Sequence, residues 1–229
     1  MSHSLRLDRG EIEPVLVSAL LRRGLAEDRA GLCARLFTEA SLDGVYSHGL
    51  NRFPQFAGMI DRGIILPAEE PSLLKREGNF EAWDGKLGPG NLNAWASMGR
   101  AIELAHEFGL GVVSLRQTNH WMRGGTYGLQ AARAGCMGIC MTNTKPNMPP
   151  WGGREAAVGN NPIVLCAPDE PYPVLLDMAM SQCSYGRMNV HRQRGEQLPF
   201  AGGYDSGLEM TDDPAVILES ELAVPMGYW

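Results

Sequence analysis

The spacing of hydrophobic residues predicts that the chain begins with helices. Residues 11–24 carry apolar side chains at helical intervals and end in a glycine, which predicts an amphipathic helix. Residues 27–42 repeat this pattern, and a third helix is predicted from Ser47 to Arg62. Residues 64–75 contain two prolines and are predicted to form a linker. We therefore expect a helical domain over residues 1–75.

After residue 75, helical and strand patterns alternate. The segments 95–108 and 126–135 have helical spacing. Four short apolar runs bounded by turn residues have the pattern of buried strands, namely residues 111–116, 136–143, 162–168 and 173–178. Residues 192–216 are polar and rich in glycine, which predicts a long surface excursion. The alternation predicts an α/β domain over residues 76–229.

Composition and charge narrow the classes of function. The 229 residues carry a formal net charge of −6, which argues against a nucleic-acid partner because phosphates bind to basic surfaces. No apolar run reaches about 18 residues, so no membrane span is predicted. The N-terminal segment lacks an apolar signal core, and five cysteines without a C-x-x-C pair are typical of reduced thiols. We expect a cytoplasmic protein.

The C-terminal segment E-L-A-V-P-M-G-Y-W is apolar and ends in two aromatic residues. Natural domain ends are usually polar. This pattern leads us to expect that the chain is incomplete at its C terminus. The alternative is a terminal segment that docks onto the rest of the domain.

Well-known cofactor and metal motifs are incomplete in this sequence. The segment G-P-G-N-L-N at 88–93 has Asn93 where a dinucleotide fingerprint needs its third glycine. His106 and Glu107 begin a zinc-peptidase motif, but Leu110 occupies the position of the second histidine. The phosphate loop G-x-x-x-x-G-K-S/T and the nucleophile motif G-x-S-x-G are absent from the sequence. A Rossmann domain, a zinc peptidase and a serine hydrolase are therefore not predicted.

The segment S-H-G-L-N-R at 47–52 is the first candidate site. If Ser47 caps the predicted helix, His48 occupies its first position and Arg52 lies on the same face, with about 5–6 Å between the Cβ atoms. A guanidinium binds a carboxylate through two parallel hydrogen bonds, and an imidazole can exchange a proton with a neighbouring carbonyl or hydroxyl group. The pattern therefore favours a 2-keto or 2-hydroxy acid as ligand. A helix-start histidine beside a solvated arginine is the structural alternative.

Two further residues could complete this site. A helix N terminus disfavours an imidazolium, so we expect an anionic group near His48. Asp177 is the best candidate, because a carboxylate within an apolar strand needs a partner. His120 lies between a predicted strand and a predicted helix, where open α/β sheets bind ligands. The alternatives are an aspartate that caps backbone groups and a histidine that stabilises a turn.

Several segments resemble the malate/L-lactate dehydrogenase-like family of NAD(P)-dependent oxidoreductases. They are G-V-Y-S-H-G-L-N-R-F-P, N-H-W-M-R-G-G-T-Y-G, M-P-P-W-G-G, G-N-N-P-I-V, L-L-D-M-A-M-S, Q-L-P-F-A-G-G and P-M-G-Y-W. The resemblance implies a non-Rossmann cofactor domain with a mixed sheet, NAD or NADP as cofactor, and a homodimer.

The resemblance also implies roles for individual residues. His48 would be the proton donor, Arg52 would bind the substrate carboxylate, and Ser47 would also bind the substrate. His120 would line the substrate pocket, and Asp177 would either assist His48 or support the cofactor. The cofactor would contact Pro173, Val174, Leu175, Leu176, Asp177, Met178, Ala179 and Trp229. Family members continue beyond G-Y-W, which agrees with the expected truncation.

The implied reaction is the reduction of a 2-keto acid by NAD(P)H. The first expectation is the conversion of 2,3-diketo-L-gulonate to 3-dehydro-L-gulonate, and the alternatives are malate, lactate, sulfolactate or a cyclic imino acid. A function of another class is that of a catalytically silent binding protein, left by truncation. A metal-dependent hydrolase would need His48, His120 and Asp177 to converge.

Overall fold

The computed structural model describes residues 7–227, and their contacts divide them into two compact units, one up to Cys136 and one from Met137. We refer to them as unit 1 and unit 2. The boundary predicted after residue 75 lies within unit 1. The assignment of cofactor binding to residues 76–229 stays a prediction.

Unit 1 begins with two helices, α1 (Arg9–Leu21) and α2 (Glu27–Leu42). Helix α1 starts with a capping box: the Asp8 side chain accepts a hydrogen bond from the Glu11 backbone, and the Glu11 side chain accepts one from the Asp8 backbone. Helix α2 has the predicted bounds. Both helices are therefore where the apolar spacing placed them, within a few residues at their ends.

The core of unit 1 is centred on Phe37 of α2, whose side chain is fully buried. Its ring packs edge-on against Phe53 and Phe56, with ring centroids 5.3 and 5.2 Å away. Other buried members are Leu16, Leu20, Leu25, Ala30, Cys33, Ala34, Leu36, Ile60, Ile65, Leu92 and Met122. This cluster holds α2 in place, and with it the segment that follows α2.

The segment after α2 does not form the single helix predicted from Ser47 to Arg62. Two separate 3₁₀ turns, Tyr46–His48 and Leu50–Arg52, precede helix α3 (Phe53–Asp61). Gly49 separates the two turns with φ −102° and ψ −132°, which lies outside the helical region. The prediction of one helix is therefore wrong at its N-terminal end.

The interruption is caused by contact with α2. The Ser41 hydroxyl oxygen accepts a hydrogen bond from the Leu50 backbone N–H, with 2.8 Å between N and Oγ. A Cβ atom at Gly49 would lie closer than 3.0 Å to that same oxygen, so the segment rests directly on the end of α2. This tertiary contact overrides the local helical spacing. Ser47 is consequently not a helix cap.

Unit 1 also contains a three-stranded mixed sheet. Strand β1 (Ser72–Glu77) is antiparallel to β2 (Phe80–Asp84), which is parallel to β3 (Val112–Arg116). Helix α4 (Gly90–Phe108) connects β2 to β3, and α5 (Gly125–Arg133) follows β3. The linker prediction is wrong where it overlaps β1. Most side chains of β1 are exposed, so the strand has no apolar pattern and is formed by backbone pairing.

A buried ion pair ties α4 to this sheet. The Glu81 side chain in β2 is 2% exposed, and Arg100 of α4 donates hydrogen bonds to its carboxylate from Nε at 3.1 Å and Nη2 at 2.8 Å. The Trp83 indole N–H also donates to it at 2.8 Å. These bonds, above all those from Arg100, lower the pKa of Glu81 and keep it ionised.

Unit 2 contains seven short strands and two helices within its described residues. They are β4 (Gly138–Met141), β5 (Pro146–Met148), β6 (Val158–Gly159), β7 (Ile163–Ala167), β8 (Val174–Met178), α6 (Tyr185–Arg194), β9 (Gly203–Tyr204), β10 (Met210–Thr211) and α7 (Pro214–Ser220). The main sheet has the order β4-β7-β8 and is antiparallel throughout, while β5 pairs with β6 and β9 with β10.

The predicted surface excursion over residues 192–216 is partly core. Leu198 is 4% exposed and belongs to the apolar cluster of unit 2. A Cβ atom at Gly203 would lie closer than 3.0 Å to the Ile217 side chain, so β9 packs tightly on α7. The prediction failed because the few apolar residues of this segment are too widely spaced to show a period. The cluster contains Met148, Cys183, Met188, Leu198, Ile217 and Ala223.

In the sheet β4-β7-β8, the strands β4 and β7 are buried on one face only. Cys140, Val164 and Cys166 fill the buried face. The opposite face exposes Ile139, Met141, Leu165, Val174 and Leu176, whose relative exposures range from 40% for Leu165 to 70% for Met141. The prediction of buried strands therefore holds for one face of β4 and β7, and it is wrong for β8 and β3, in which no residue is buried.

The α/β fold with a mixed sheet is confirmed by the helices and by the parallel and antiparallel pairs described above. Among the helices of residues 7–227, none combines the length and the apolar character that a transmembrane passage requires.

Candidate active site

Two sequence motifs that are far apart in the chain meet in unit 1. His48 is the last residue of the first 3₁₀ turn, and His120 lies in the loop between β3 and α5. Their imidazole rings are stacked, with centroids 5.7 Å apart and an interplanar angle of 28°. The structure thus brings together the S-H-G and N-H-W motifs that the sequence analysis treated separately.

His48 is held by its neighbour Ser47. The Ser47 hydroxyl lies within hydrogen-bond distance of the His48 ring, with 2.9 Å between Oγ and Nδ1. Ser47 therefore orients the imidazole instead of capping a helix. Because His48 ends a 3₁₀ turn, the expected penalty of a helix N terminus on its charged form does not apply. The argument that His48 needs an anionic partner for that reason is wrong.

Arg52 reaches the same region by a different route from the one predicted. The expected spacing on one helix is wrong, because Gly49 separates His48 and Arg52 into two turns. Arg52 is nevertheless close enough to His120 for its positive charge to lower the pKa of that imidazole. Burial lowers the pKa of Arg52 itself, but a guanidinium stays charged across the physiological range. The structure therefore assembles two imidazoles and one cation.

His120 is held in a neutral form that can donate a hydrogen bond. Its Nδ1 accepts a hydrogen bond from the Met122 backbone N–H at 2.9 Å, which places the proton of a neutral ring on Nε2. The residue is exposed at the surface, yet the surrounding protein lowers its pKa, first by desolvation and then by the positive charges of Arg52 and His48. His120 is therefore suited to donate a hydrogen bond from Nε2.

The loop that carries His120 is fixed by the side-chain amides of Asn119 and Asn93, a structural role that the sequence did not predict. Asn119 donates from Nδ2 to the carbonyl oxygens of Leu87 at 2.8 Å and Gly88 at 3.2 Å. Asn93, fully buried at the start of α4, donates to the Thr118 hydroxyl at 3.1 Å. These bonds satisfy the Nδ2 groups of the two amides. The available signal was Asn93 itself, which stands where a third glycine was sought.

Tyr127 of α5 fixes the other end of the same loop. Its buried hydroxyl donates to the carbonyl oxygen of Trp121 and lies 3.3 Å from that of Asn91. It thus connects the end of the His120 loop to the first turn of α4. Tyr127 had no signal in the sequence, because its role depends on contacts between distant segments.

The predicted cofactor segment lies in unit 2. It is formed by β8 with the flanking Pro173 and Ala179, namely Pro173, Val174, Leu175, Leu176, Asp177, Met178 and Ala179. Val174 and Leu176 are 63% and 43% exposed, so they offer apolar surface to a ligand. Trp229, the other predicted cofactor contact, lies outside the described residues.

Asp177 differs from the buried carboxylate that the sequence suggested. It is exposed on β8 and lies opposite Val164 of β7, so the premise of a carboxylate inside a buried strand is wrong. Its charge helps to raise the pKa of the Cys140 thiol to about 12, after the larger effect of desolvation. Its roles beside His48 or the cofactor stay predictions. Within residues 7–227, no group of three His, Cys, Asp or Glu residues is arranged to hold a metal ion.

Comparison with known proteins identifies the family. Residues 7–229 match the family model described as malate/L-lactate dehydrogenase. The chain is 46% identical over 219 residues to 2,3-diketo-L-gulonate reductase of Salmonella paratyphi B, an alignment that covers 96% of this chain and 66% of that protein. It therefore spans just under two thirds of the length of that relative.

Solved structures give the same result. Malate dehydrogenase from Entamoeba histolytica matches with a TM-score of 0.94 at 30% identity, over 97% of this chain and 64% of that one. Sulfolactate dehydrogenase from Methanocaldococcus jannaschii matches with a TM-score of 0.85 at 32% identity, over 94% and 62% of the two chains. The chain belongs to the malate/L-lactate dehydrogenase family, as the segments around His48 and His120 indicated.

Proposed function

We propose that this protein reduces a 2-keto acid to a 2-hydroxy acid with a reduced nicotinamide nucleotide. The observation that carries the proposal is the stacked pair of His48 and His120, with the charge of Arg52 acting on it. These three groups match the three needs of the substrate, which are a cation for its carboxylate, a hydrogen-bond donor for its carbonyl and a proton for the oxygen that becomes a hydroxyl.

Arg52 binds the carboxylate of the substrate. Its guanidinium is partly desolvated, as the lowering of its pKa by burial indicates. An ion pair is stronger in such surroundings than in water, and the planar fork fixes the carboxylate in one orientation. The carbon next to the carboxylate is thereby presented in a defined position.

His48 transfers the proton, and His120 holds the oxygen that receives it. Because the Ser47 hydroxyl engages Nδ1 of His48, the proton that His48 transfers is the one on Nε2. The neutral His120 donates a hydrogen bond from Nε2 to the same oxygen, since its Nδ1 is occupied by Met122. A donor that keeps its proton can stabilise the negative charge that develops on the oxygen.

Residues Pro173–Ala179 hold the cofactor in this proposal. The exposed apolar side chains of Val174 and Leu176 suit the contact with a nucleotide, which supports the assignment. A bound reduced nicotinamide supplies the hydride. We propose NADH as the first cofactor to test and NADPH as the second, and Asp177 as a residue that supports either His48 or the cofactor.

The proposed substrate is 2,3-diketo-L-gulonate, which would give 3-dehydro-L-gulonate. Its support is the 46% identity to a relative that bears the name 2,3-diketo-L-gulonate reductase. Malate-, lactate- and sulfolactate-type substrates and cyclic imino acids are the alternatives, since every one carries a carboxylate beside the reacting carbon.

We also propose a cytoplasmic location and a homodimer. The location is supported by the five cysteines, all of which are unpaired thiols. The homodimer rests on the family resemblance, and sedimentation analysis tests it.

The deciding experiment is a spectrophotometric screen of NADH and NADPH oxidation over a panel of 2-keto acids. Oxidation that depends on one of these acids supports the proposal, and 2,3-diketo-L-gulonate is expected to give the highest kcat/KM. Quenching of tryptophan fluorescence by NADH without turnover of any acid would instead favour a silent binding protein. Absence of both turnover and quenching would overturn the proposal.

A further inference from the structure

The incomplete dinucleotide motif G-P-G-N-L-N at 88–93 has a structural use in unit 1. It forms the start of α4, directly against the loop that carries His120. We propose that Gly90 is a positioning residue for His120, because its missing side chain lets the Asn119–His120 backbone rest on the first turn of α4. This inference deepens the proposed function and rests on it for the role of His120.

Gly90 is required by space. A Cβ atom at this position would lie closer than 3.0 Å to the carbonyl oxygens of both Asn119 and His120. Both are backbone atoms, so a side-chain rotation cannot relieve the clash. Cβ atoms in proteins do not approach other atoms so closely. An alanine at position 90 would therefore force the backbone around His120 to move.

The loop has little freedom to move as a whole. Asn119 is bound through its side chain to the carbonyl oxygens of Leu87 and Gly88, at 2.8 and 3.2 Å. The Tyr127 hydroxyl holds the carbonyl of Trp121 on the far side. His120 lies between these two fixed points. A larger side chain at position 90 therefore displaces His120 itself.

The imidazole follows the backbone. The Met122 N–H binds Nδ1 of His120 at 2.9 Å, and Met122 is 6% exposed with φ at 65°, in the left-handed region. Because Met122 is fixed by burial, a shift of His120 stretches this bond and moves Nε2. A misplacement of about 1 Å at a reacting centre can lower a rate about 100-fold.

The test compares two glycines of the same helix. In Gly90→Ala the new methyl group meets the His120 loop, whereas in Gly99→Ala it meets only the Gln130 side-chain nitrogen at 3.6 Å, an ordinary contact. We expect Gly90→Ala to lower kcat for the 2-keto acid by 10-fold or more while the KM for NADH stays within 2-fold, by the sensitivity of catalysis to placement. Gly99→Ala should match the unmodified protein in both.

A second measurement does not need turnover. ¹⁵N NMR of labelled histidine reports which ring nitrogen carries the proton, and loss of one set of signals in His120→Asn assigns His120. In the unmodified protein and in Gly99→Ala, His120 should be protonated at Nε2 and hydrogen-bonded at Nδ1. In Gly90→Ala the Nδ1 signal should shift as the Met122 bond is lost.

A milder variant keeps the inference testable if Gly90→Ala does not fold. Tyr127→Phe removes one hydroxyl group that holds the same loop, and its His120 signals should shift in the same direction. The NMR signals test the positioning role of Gly90, and turnover of a 2-keto acid tests the proposed function. Unchanged His120 signals in Gly90→Ala, or in Tyr127→Phe where Gly90→Ala does not fold, would overturn the positioning role whatever the activity. Shifted signals without any 2-keto acid turnover would sustain the positioning role and reject the proposed reaction.

Discussion

His48 and Arg52 should differ in what their replacement changes. His48→Gln keeps a side chain of similar size but cannot donate a proton, so we expect kcat to fall by about 10²–10⁴-fold. Cofactor affinity should stay nearly constant. Steady-state kinetics and an NADH fluorescence titration measure the two quantities. A kcat equal to that of the unmodified protein would remove His48 from the mechanism.

Arg52→Lys tests the fork geometry. A lysine keeps the positive charge but cannot form two parallel hydrogen bonds to a carboxylate. We expect the KM for the 2-keto acid to rise by about 10-fold or more, because one charge-assisted hydrogen bond is lost. The change in kcat should be smaller. An unchanged KM would show that Arg52 does not contact the carboxylate.

Gly49 should be sensitive to substitution because it packs on Ser41. In Gly49→Ala the added methyl group would clash with Ser41 Oγ, and overpacking of this kind lowers the free energy of unfolding by about 1–3 kcal/mol. Gly31→Ala is the matched control, since nothing lies within 4 Å of its new methyl group in α2. Alanine there should stabilise the protein by about 0.5–1 kcal/mol. Denaturant unfolding measures the free energy of unfolding of both variants. Equal free energies for Gly49→Ala and Gly31→Ala would contradict the packing argument.

The sequence placed candidate residues in one group more successfully than it predicted their geometry. His48, Arg52 and His120 were selected for their chemistry, and the structure groups them in unit 1. The geometry was wrong, because Gly49 looked like an ordinary helical residue until Ser41 was known to lie against it. No local pattern could show that position 120 stacks on position 48.

At the scale of elements, the ion pair between Glu81 and Arg100 holds α4 against the sheet. Glu81→Gln removes the charge that Arg100 and Trp83 bind, and we expect a loss of about 2 kcal/mol in the free energy of unfolding. The control is Glu103→Gln, which removes the second partner of the same arginine from an exposed position, with a side chain 67% exposed. That change should stay within about 0.5 kcal/mol.

The same pair predicts a pH dependence. The pKa of Glu81 is lowered in the folded protein, so its contribution is fully present above the unfolded value of about 4.5. It is lost as the pH falls through the lower, folded pKa. Urea unfolding from pH 7 down to pH 3 should therefore show a steeper acid loss in the unmodified protein than in Glu81→Gln. Parallel curves would contradict this source of acid sensitivity.

Elements with strong periodicity were predictable, and those formed by pairing were not. Helix α2 has its predicted bounds because its apolar stripe and its core contacts agree. Strand β1 was missed because its side chains face solvent and Pro71 precedes it. The strands around residues 136–178 were found, but the exposure of one sheet face depends on packing that a short apolar run does not reveal.

At the scale of the whole molecule, each unit has its own apolar core. Phe37→Ala removes a fully buried ring from unit 1, which should lower the stability of that unit by about 3–5 kcal/mol. Ile217→Ala in unit 2 should lower its stability by about 2–5 kcal/mol. Hydrogen exchange with peptide resolution should show faster exchange first in the unit that carries the change. Equal acceleration in both units would show that they unfold together.

Strand β8 has a consequence for every test of Asp177. The strand lies at the end of the described sheet, with Val174 and Leu176 exposed, and Asp177 is the single charged residue among V-L-L-D-M. A charged residue on an outer strand acts as a gatekeeper against intermolecular strand addition and aggregation. Asp177→Asn, the natural isosteric probe of catalysis, would remove that gatekeeper at the same time. Light scattering must therefore accompany kinetic measurements on Asp177→Asn, because aggregation of the variant and a slower chemical step would both lower the measured rate.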